Sequence, residues 1–317
     1  MKDLTSQLSY YSPSGAAPIG GVIATLAMSI VGGVVLASVY AFVNYHDPIL
    51  YFNVALSMGF GWALGWLVAK GVRVFHIRSA FISYAITFVA FIIAYIAHWI
   101  IYIPTVILDY SDEASSFDFG LIFRIAADLV QEPDAIWSYI QAFNETGIWS
   151  FTSSYSSRSD GIPVDGILLA IIWLTEGATI LFFAYFAIFG EAKKPYSERQ
   201  GKWLDKQILP TSIAFVEDAD DFKNYLERGD FSALTTPLPV DADHEKYATV
   251  TLFPDSFESY VSVENVLTQN KKSKKTSRWF KRGAKNENNT PIEIVKYLKI
   301  SPTTAQAISS ALNENTQ

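Results

Sequence analysis

Long apolar runs separated by polar connections fill the first 190 residues of the chain. A helix rises about 1.5 Å per residue, so about 20 apolar residues cross a hydrocarbon core roughly 30 Å thick. Four runs reach this length, and none keeps the polar face that a helix in water needs. The pattern predicts four transmembrane helices, over Ile19–Val43, Ile49–Ala69, Ala80–Ile103 and Ile167–Phe189.

A different pattern begins after residue 190, where short apolar segments alternate with turn residues. Lys246–Phe253 alternates with the period of two that is typical of a half-buried strand. Further strands are predicted over Ser212–Val216, Tyr260–Leu267 and Pro291–Ile300, with helices over Asp218–Arg228 and from Ser301 to about Leu312. This order predicts a small α+β domain.

The connection before the fourth apolar run is too long for a simple loop. Phe119–Gln131 places apolar residues at helical spacing, and Pro133 introduces a second short helix over Asp134–Phe143. Amphipathic helices beside a membrane lie on its surface or cover the ends of the spanning helices. We therefore expect a helical cap over the bundle.

Flanking charges orient the spans. Lys70, Arg73 and Arg78 crowd the connection between the second and third runs, and four more basic residues follow the fourth run. The long third connection carries two arginines against ten acidic residues. Because cytoplasmic loops are rich in Lys and Arg, both termini should be cytoplasmic and this connection extracytoplasmic.

The predicted fold is therefore a four-span α-helical transmembrane bundle with an extracytoplasmic amphipathic helical cap and a small cytoplasmic α+β domain. Its segments are the cytoplasmic N-terminal segment 1–18, transmembrane helices 19–104, the extracytoplasmic connection 105–165, the fourth transmembrane helix 166–190, and the cytoplasmic domain 191–317 with a basic loop at 271–285.

The composition of the chain limits the kinds of site that it can form. The chain has no cysteine and only four scattered histidines, so neither a disulfide nor a metal centre is expected. No glycine-rich phosphate loop or nucleophile motif is present in the sequence, and we expect a protein without a cofactor that is not an enzyme.

Small residues in the first two spans favour close helix packing, since helices in lipid associate through small faces. The positions expected to act in this way are Gly32, Gly33, Gly61 and Gly65. The alternative is that these glycines let the helices bend around a pore. Trp62, Trp66 and Trp173 are expected to pack against the glycine faces.

Two ionisable residues lie inside predicted spans, His98 in the third and Glu176 in the fourth. Such residues are costly in a bilayer and should face protein or water and have a partner. One interpretation is a proton or cation path in which the two residues pair. The other is a neutral glutamic acid bonded to Thr175, Thr179 or a helix neighbour, with His98 at the wet interface.

The segment 271–285 interleaves basic and aromatic residues, which suits an anionic membrane surface. The expected lipid contacts are Lys271, Lys272, Lys274, Lys275, Arg278, Trp279, Lys281, Arg282 and Lys285. Nucleic acid is a less favoured partner, because the topology holds this segment at the inner leaflet. A solvated charge run is the third interpretation.

Several local patterns resemble a group of uncharacterised bacterial four-span membrane proteins. They are Tyr11–Ser12–Pro13–Ser14–Gly15, Tyr51–Phe52–Asn53, Gly59–Phe60–Gly61, Asn144–Glu145–Thr146–Gly147 and Pro195–Tyr196 with Lys202–Trp203. The resemblance implies a bacterial inner membrane and four spans. In that group the last segment reads as a CxxC half-site of a zinc-ribbon-like element. Here Ser197 and Gln200 occupy the two positions, so no metal is predicted.

Together these features favour a multi-pass inner-membrane scaffold or regulatory subunit. Its partners would be the bilayer itself, anionic lipid at the inner leaflet, cytoplasmic proteins, and either a second copy of the chain or another membrane protein. The alternative is a transporter or channel subunit that uses Glu176 and His98.

Overall fold

The computed structural model describes residues 9–46, 50–109, 117–147, 150–151, 162–239, 245–267 and 290–313. The chain divides into two compact units. A helical unit comprises Ser14–Lys193, and an α+β unit comprises Met1–Pro13 together with Lys194–Gln317. The basic segment 271–285, and with it every predicted lipid contact, lies outside the described residues.

The described part of the helical unit contains four long helices and two short ones. They are α1 (Ile19–His46), α2 (Leu50–Val74), α3 (Ala80–Asp109), α4 (Phe119–Gln131), α5 (Pro133–Thr146) and α6 (Gly166–Ile188), with an antiparallel pair, β1 (Ser150–Phe151) and β2 (Ile162–Pro163), before α6. Four of them, α1, α2, α3 and α6, are long and apolar enough to cross a membrane, which confirms the predicted number. Helix α3 continues through Pro104 to Asp109, beyond the predicted end of the third span.

The end of α2 explains how the chain turns into α3. The backbone N–H of Ile77 donates to the carbonyl of Val72 at 2.9 Å, and His76 adopts the left-handed conformation with φ of 55°. This bond and this conformation are those of a Schellman motif, which ends a helix by satisfying its last carbonyls. The next residue, Arg78, donates its N–H to the carbonyl of Ala16 at 2.8 Å, so the start of the unit is bonded to this turn.

The predicted packing glycines fall into two pairs. A Cβ at Gly61 would overlap the backbone carbonyl of Ile180, and one at Gly65 would overlap that of Ala184. Helices α2 and α6 therefore meet backbone to backbone at these two positions. The neighbours of Gly32 and Gly33 are instead side chains, those of Leu67 for the first and of Leu64 and Ala94 for the second.

The tryptophans of α2 do not take part in this packing. Trp62 is 52% exposed and Trp66 is 47% exposed, so the prediction that they pack against the glycine faces is wrong. They lie on the outer face of α2, where Lys70 Nζ lies 5.2 Å from the Trp66 ring. Trp173 packs edge-on against Trp99, with ring centroids 4.9 Å apart.

The two short helices pack against the C-terminal part of α3. The buried side chains of α4 are Ile122, Ala126 and Leu129, which join a cluster with the α3 residues around Trp99–Leu108. Asp118 caps α4 by accepting the N–H of Leu121 at 3.0 Å. Helix α4 has the predicted bounds, whereas α5 is longer than predicted at both ends.

The α+β unit is built on a four-stranded antiparallel sheet in the order β5-β6-β7-β8. Its elements are β3 (Tyr196–Ser197), β4 (Lys202–Trp203), β5 (Gln207–Ile208), α7 (Ala219–Glu227), α8 (Ser232–Thr235), β6 (Lys246–Phe253), β7 (Ser259–Leu267), β8 (Thr290–Ile300) and α9 (Pro302–Asn313). Alternate residues of the strands form a core with α7, α8 and α9, in which Leu226, Val250 and Ile308 are fully buried.

The predicted strand Ser212–Val216 is wrong. Only Ile213 forms a bridge, with Ala248, and the segment otherwise runs beside the sheet as a loop. The buried side chain of Asn265 holds this loop, since it accepts the N–H of Val216 at 3.0 Å and donates to its carbonyl at 2.8 Å. A side-chain amide thus replaces the backbone ladder that a strand would have formed.

The N-terminal segment belongs to both units. Residues 9–11 pair with β8: Tyr11 N–H donates to the Tyr297 carbonyl at 2.8 Å, and Lys299 N–H donates to the Ser9 carbonyl at 2.9 Å. Residues as far as Pro13 therefore belong to the α+β unit, whereas those from Ser14 belong to the helical unit. The single segment 1–18 expected from the sequence is divided between the two.

Candidate intramembrane site

A ring of hydrogen-bonding residues joins α1, α2 and α6. Tyr40 Oη and Asn44 Nδ2 both donate to Oε1 of Glu176, the second at 3.3 Å. Asn53 Nδ2 donates to Asn44 Oδ1. Ser57 Oγ completes the ring, since it lies 2.8 Å from Tyr40 Oη and 2.9 Å from the backbone carbonyl of Asn53, and its single hydrogen bonds to one of these two oxygens at a time. We call these five residues the polar ring.

Helical periodicity and a short connection bring the ring together. Tyr40 and Asn44 lie one turn apart near the end of α1, and Asn53 and Ser57 lie one turn apart near the start of α2. Residues four apart share a helix face. Only residues 47–49 separate α1 from α2, so the two polar faces are placed opposite each other.

Glu176 is the only ionisable carboxyl in the ring and lies near the middle of the 23-residue helix α6. Placing a carboxylate at the centre of a bilayer costs about 2.5–3.5 kcal/mol even on insertion scales, so the hydrogen bonds of the ring offset a substantial cost. The expected partners Thr175 and Thr179 donate instead to carbonyls of α6 itself, each at 2.8 Å. The partners of Glu176 are instead Tyr40 and Asn44 of α1.

His98 lies beside the ring but outside it. Its side chain is 2% exposed and packs against the ring of Tyr40, with centroids 5.0 Å apart, and against that of Tyr95 at 6.0 Å. Its Nδ1 atom has no hydrogen-bond partner among the described residues. Tyr95 Oη donates to the carbonyl of Trp173 at 3.1 Å. His98 and Glu176 thus contact the same tyrosine and do not form the direct pair considered from the sequence.

The arrangement suits a proton or a monovalent cation better than a transition metal. The ring presents carboxylate, amide and hydroxyl oxygens, which are hard ligands, whereas transition metals favour imidazole and thiolate. Within the described part of the chain, no group of three His, Cys, Asp or Glu residues is placed to hold a metal ion.

The two positions of the CxxC-like segment lie in the α+β unit, at the β3–β4 hairpin. Ser197 Oγ donates to Asp255 Oδ2 at 2.8 Å, and Gln200 Nε2 donates to Asp255 Oδ1. Gln200 N–H also donates to Ser197 Oγ at 3.2 Å. Hydrogen bonds to one carboxylate therefore hold the hairpin.

Four members of the polar ring were missed from the sequence: Tyr40, Asn44, Asn53 and Ser57. A usable signal was present, since two polar pairs at a spacing of four stand on either side of a short connection between spans. Such pairs point to a shared polar face. Their partner on α6 could not be identified, because more than 100 residues separate it from them in sequence.

Comparison with family models, with curated proteins and with solved structures gives no match for this chain.

Proposed function

We propose that the chain is a multi-pass membrane scaffold or regulatory subunit whose α+β unit contacts cytoplasmic partners. The observation that carries the proposal is that this unit is assembled from both ends of the chain. Residues 9–11 form an added edge of the sheet beside β8, and they connect through a few residues to α1. The hairpin β3–β4 follows α6 almost directly.

Side chains reinforce the added edge. Tyr10 Oη donates to Glu227 of α7 at 2.8 Å, and partial burial, together with the bond to this carboxylate, raises the pKa of Tyr10 to about 12. The ring of Tyr11 packs edge-on against Tyr260 at 5.3 Å and Tyr297 at 6.3 Å. A partner that alters this edge would affect two segments at once, the one that precedes the first span and the one that follows the fourth. A regulatory subunit could use such a connection.

The same pairing supports the proposed topology. Residues 9–11 and β8 must lie on one side of a membrane, which requires an even number of crossings between them. Four spans meet this requirement, and the basic connection around Arg73 makes that side cytoplasmic by the positive-inside rule. Placement in a bacterial inner membrane rests on the resemblance of the local patterns.

The scaffold proposal is tested by the assembly state of the full-length protein in mild detergent, measured by native mass spectrometry. We expect a defined oligomer or a stoichiometric partner in the wild type. Tyr11→Pro should reduce that assembly, because it removes the N–H that donates to the Tyr297 carbonyl. A monodisperse single chain in the wild type would refute the proposal.

Two controls separate the backbone bond from side-chain effects. Tyr10→Pro makes the same covalent change where the N–H has no partner among the described residues, and Tyr10→Phe removes only the bond to Glu227. Tyr11→Ala reports the loss of the aromatic contacts alone. If Tyr10→Pro disrupts assembly as much as Tyr11→Pro, the added edge is not the cause.

A second candidate is a transporter or channel subunit that uses Glu176 and His98. The observation that favours it is a carboxyl group near the middle of α6 within a hydrogen-bonded ring, since polar residues at this depth are commonly part of substrate or ion pathways. Proton and sodium flux into proteoliposomes should fall in Glu176→Gln and persist in Thr175→Val, because the Thr175 hydroxyl donates to the Ile171 carbonyl of its own helix. Equal, negligible flux in all three proteins would exclude transport.

A further inference from the structure

The two carboxyl oxygens of Glu176 have different surroundings. Oε1 accepts both hydrogen bonds of the polar ring, from Tyr40 and Asn44. Oε2 has no hydrogen-bond partner among the described residues, and the side chain is only partly buried in the bundle. Because the ring closes through Oε1 alone, a proton can bind to Oε2 without breaking any hydrogen bond of the ring.

No described cation is placed to neutralise this carboxylate. Helices α1, α3 and α6 contain no Lys or Arg, and the basic residues of α2, Lys70 and Arg73, lie at the opposite end of that helix. Lys70 is 13 residues beyond Ser57, which is about 20 Å along the helix. Protonation is then the direct way to remove the charge from an apolar environment.

The titratable neighbours of Glu176 come from two helices. Helix α1 contributes Tyr40, and α3 contributes His98, which packs against Tyr40, and Tyr95, whose hydroxyl donates to a carbonyl of α6. Helix α2 contributes only the neutral groups of Asn53 and Ser57. The buried Nδ1 of His98 has no partner among the described residues and adds a second polar atom beside the ring.

We propose that Glu176 is an intramembrane proton-binding site, with the proton on Oε2 and the polar ring holding the carboxyl group through Oε1. A sodium ion is a poorer fit, because it needs several oxygen ligands, whereas Oε1 of Glu176 and Oδ1 of Asn44 already accept hydrogen bonds within the ring. The site binds a proton whether or not the proton moves across the membrane, so its test is independent of the flux measurement.

The test is modification by dicyclohexylcarbodiimide, an apolar reagent that reaches protonated carboxyl groups from lipid. The carboxyl proton passes to one reagent nitrogen, and the carboxylate oxygen bonds to the central carbon. Transfer of the acyl group to nitrogen then leaves a stable N-acylurea. The full-length protein in lipid nanodiscs would be labelled across pH 5–9 and digested for mass spectrometry.

We expect labelling at Glu176 that falls at least tenfold from the lowest to the highest pH, and no adduct on that peptide in Glu176→Gln. Glu132 and Glu145, outside the long helices, should react much less with the apolar reagent and more with a water-soluble carbodiimide. Absence of labelling at Glu176 at every pH, or labelling that does not change with pH, would overturn the proposal. If sodium suppressed the labelling of Glu176 at constant pH, the ligand of the site would be a cation and not a proton.

Two substitutions in α1 test whether the polar ring holds the carboxyl group of Glu176. Tyr40→Phe removes a donor to Oε1 and should move the pH midpoint of labelling by at least half a unit. Ser38 lies half a turn away on the same helix, and among the described residues its hydroxyl bonds only to the Val34 carbonyl, at 2.9 Å. Ser38→Ala should therefore leave the midpoint in place. Equal midpoints in all three proteins would show that the ring does not hold the carboxyl group.

Discussion

The two units of this chain differ in the kind of packing that stabilises each of them. In the helical unit the closest contacts occur where a side chain is missing, at Gly61 and Gly65 against the backbone of α6. In the α+β unit the core consists of large aliphatic side chains such as Leu226, Leu252 and Leu298 between the sheet and its helices. Water drives the second arrangement, whereas lipid is as apolar as leucine and leaves close packing to hold helices together.

The polar side chains also have different roles in the two units. Members of the polar ring bond to one another, except at Oε2 of Glu176, because the hydrocarbon around the ring offers no partners. In the α+β unit, Asn265 and Asp255 tie loops to the sheet at single points, and water is available beyond them. Polar side chains therefore act as cross-links between helices in one unit and as loop anchors in the other.

Removing a large core side chain should produce the largest effect, and only in the α+β unit. Leu252→Ala deletes a side chain that is 1% exposed, and should lower the free energy of unfolding of that unit by about 2–5 kcal/mol. Hydrogen exchange of the full-length protein, read peptide by peptide, would locate the loss. Ile208→Ala, on the next strand and 61% exposed, should cost less than about 0.5 kcal/mol. Loss of protection in α1 or α6 would show that the Leu252 side chain also stabilises the helical unit.

Adding a single methyl group should destabilise the helical unit. Gly61→Ala forces the backbones of α2 and α6 apart, with an expected cost of about 1–3 kcal/mol. Gly59→Ala is the matched control, since a Cβ there meets no atom within 4 Å. Unfolding by sodium dodecyl sulfate in mixed micelles would measure both variants. Equal stabilities would show that the glycine contact is dispensable.

Loss of a loop anchor should have a smaller effect. Asn265→Ala leaves the N–H and carbonyl of Val216 without their partner in a buried place, which costs about 1–2 kcal/mol. Exchange of the amide of Val216 should accelerate more than that of Val250 in the adjoining strand. Asn224→Ala, on the exposed face of α7, serves as the control. Unchanged exchange at Val216 would contradict the anchoring role of Asn265.

The smallest effect concerns charge on the surface of the α+β unit. Lys299 Nζ donates to Glu258 at 2.7 Å and holds the pKa of that carboxyl below its ordinary value of about 4.5. A carboxyl group whose pKa is lowered by folding stabilises the protein at pH values above its ordinary pKa. This stability is lost as the pH falls through the pKa of the folded protein. Because both side chains are more than a third exposed, the increment should be about 0.5 kcal/mol or less.

Denaturant titrations between pH 3 and pH 6 would test this pair. The difference between wild type and Glu258→Gln should shrink as the pH falls, and Lys299→Met should remove the same pH-dependent increment. A difference that is constant over this range would exclude the ion pair as its source.

Periodicity made much of the fold predictable. The strands β6, β7 and β8 and the helix α4 follow local alternation or helical spacing, and their observed bounds agree with those expected to within a residue. The strand predicted over Ser212–Val216 was wrong, because its apolar residues fit the pattern of a strand while its backbone is bonded by a distant side chain, that of Asn265. The outward position of Trp62 likewise depends on which face of α2 meets α6.

The candidate site was predicted only in part. Glu176 and His98 stood out because an ionisable residue in an apolar run is rare and costly. The partners of Glu176, Tyr40 and Asn44, are ordinary residues for the end of a span, and their signal was only the spacing of four that Asn53 and Ser57 repeat. The resemblance to four-span bacterial proteins and the lipid contacts of segment 271–285 stay predictions.

The four long apolar helices and the alternating strands of the α+β unit could be predicted because length, hydropathy and period are local properties of the chain. The groups that meet across large separations could not, since they are brought together by packing. Tyr10 pairs with Leu298, Tyr40 bonds to Glu176, and Gly61 lies against Ile180. These contacts depend on helix rotation and strand register, which are set by the packing of whole faces and not by any short segment.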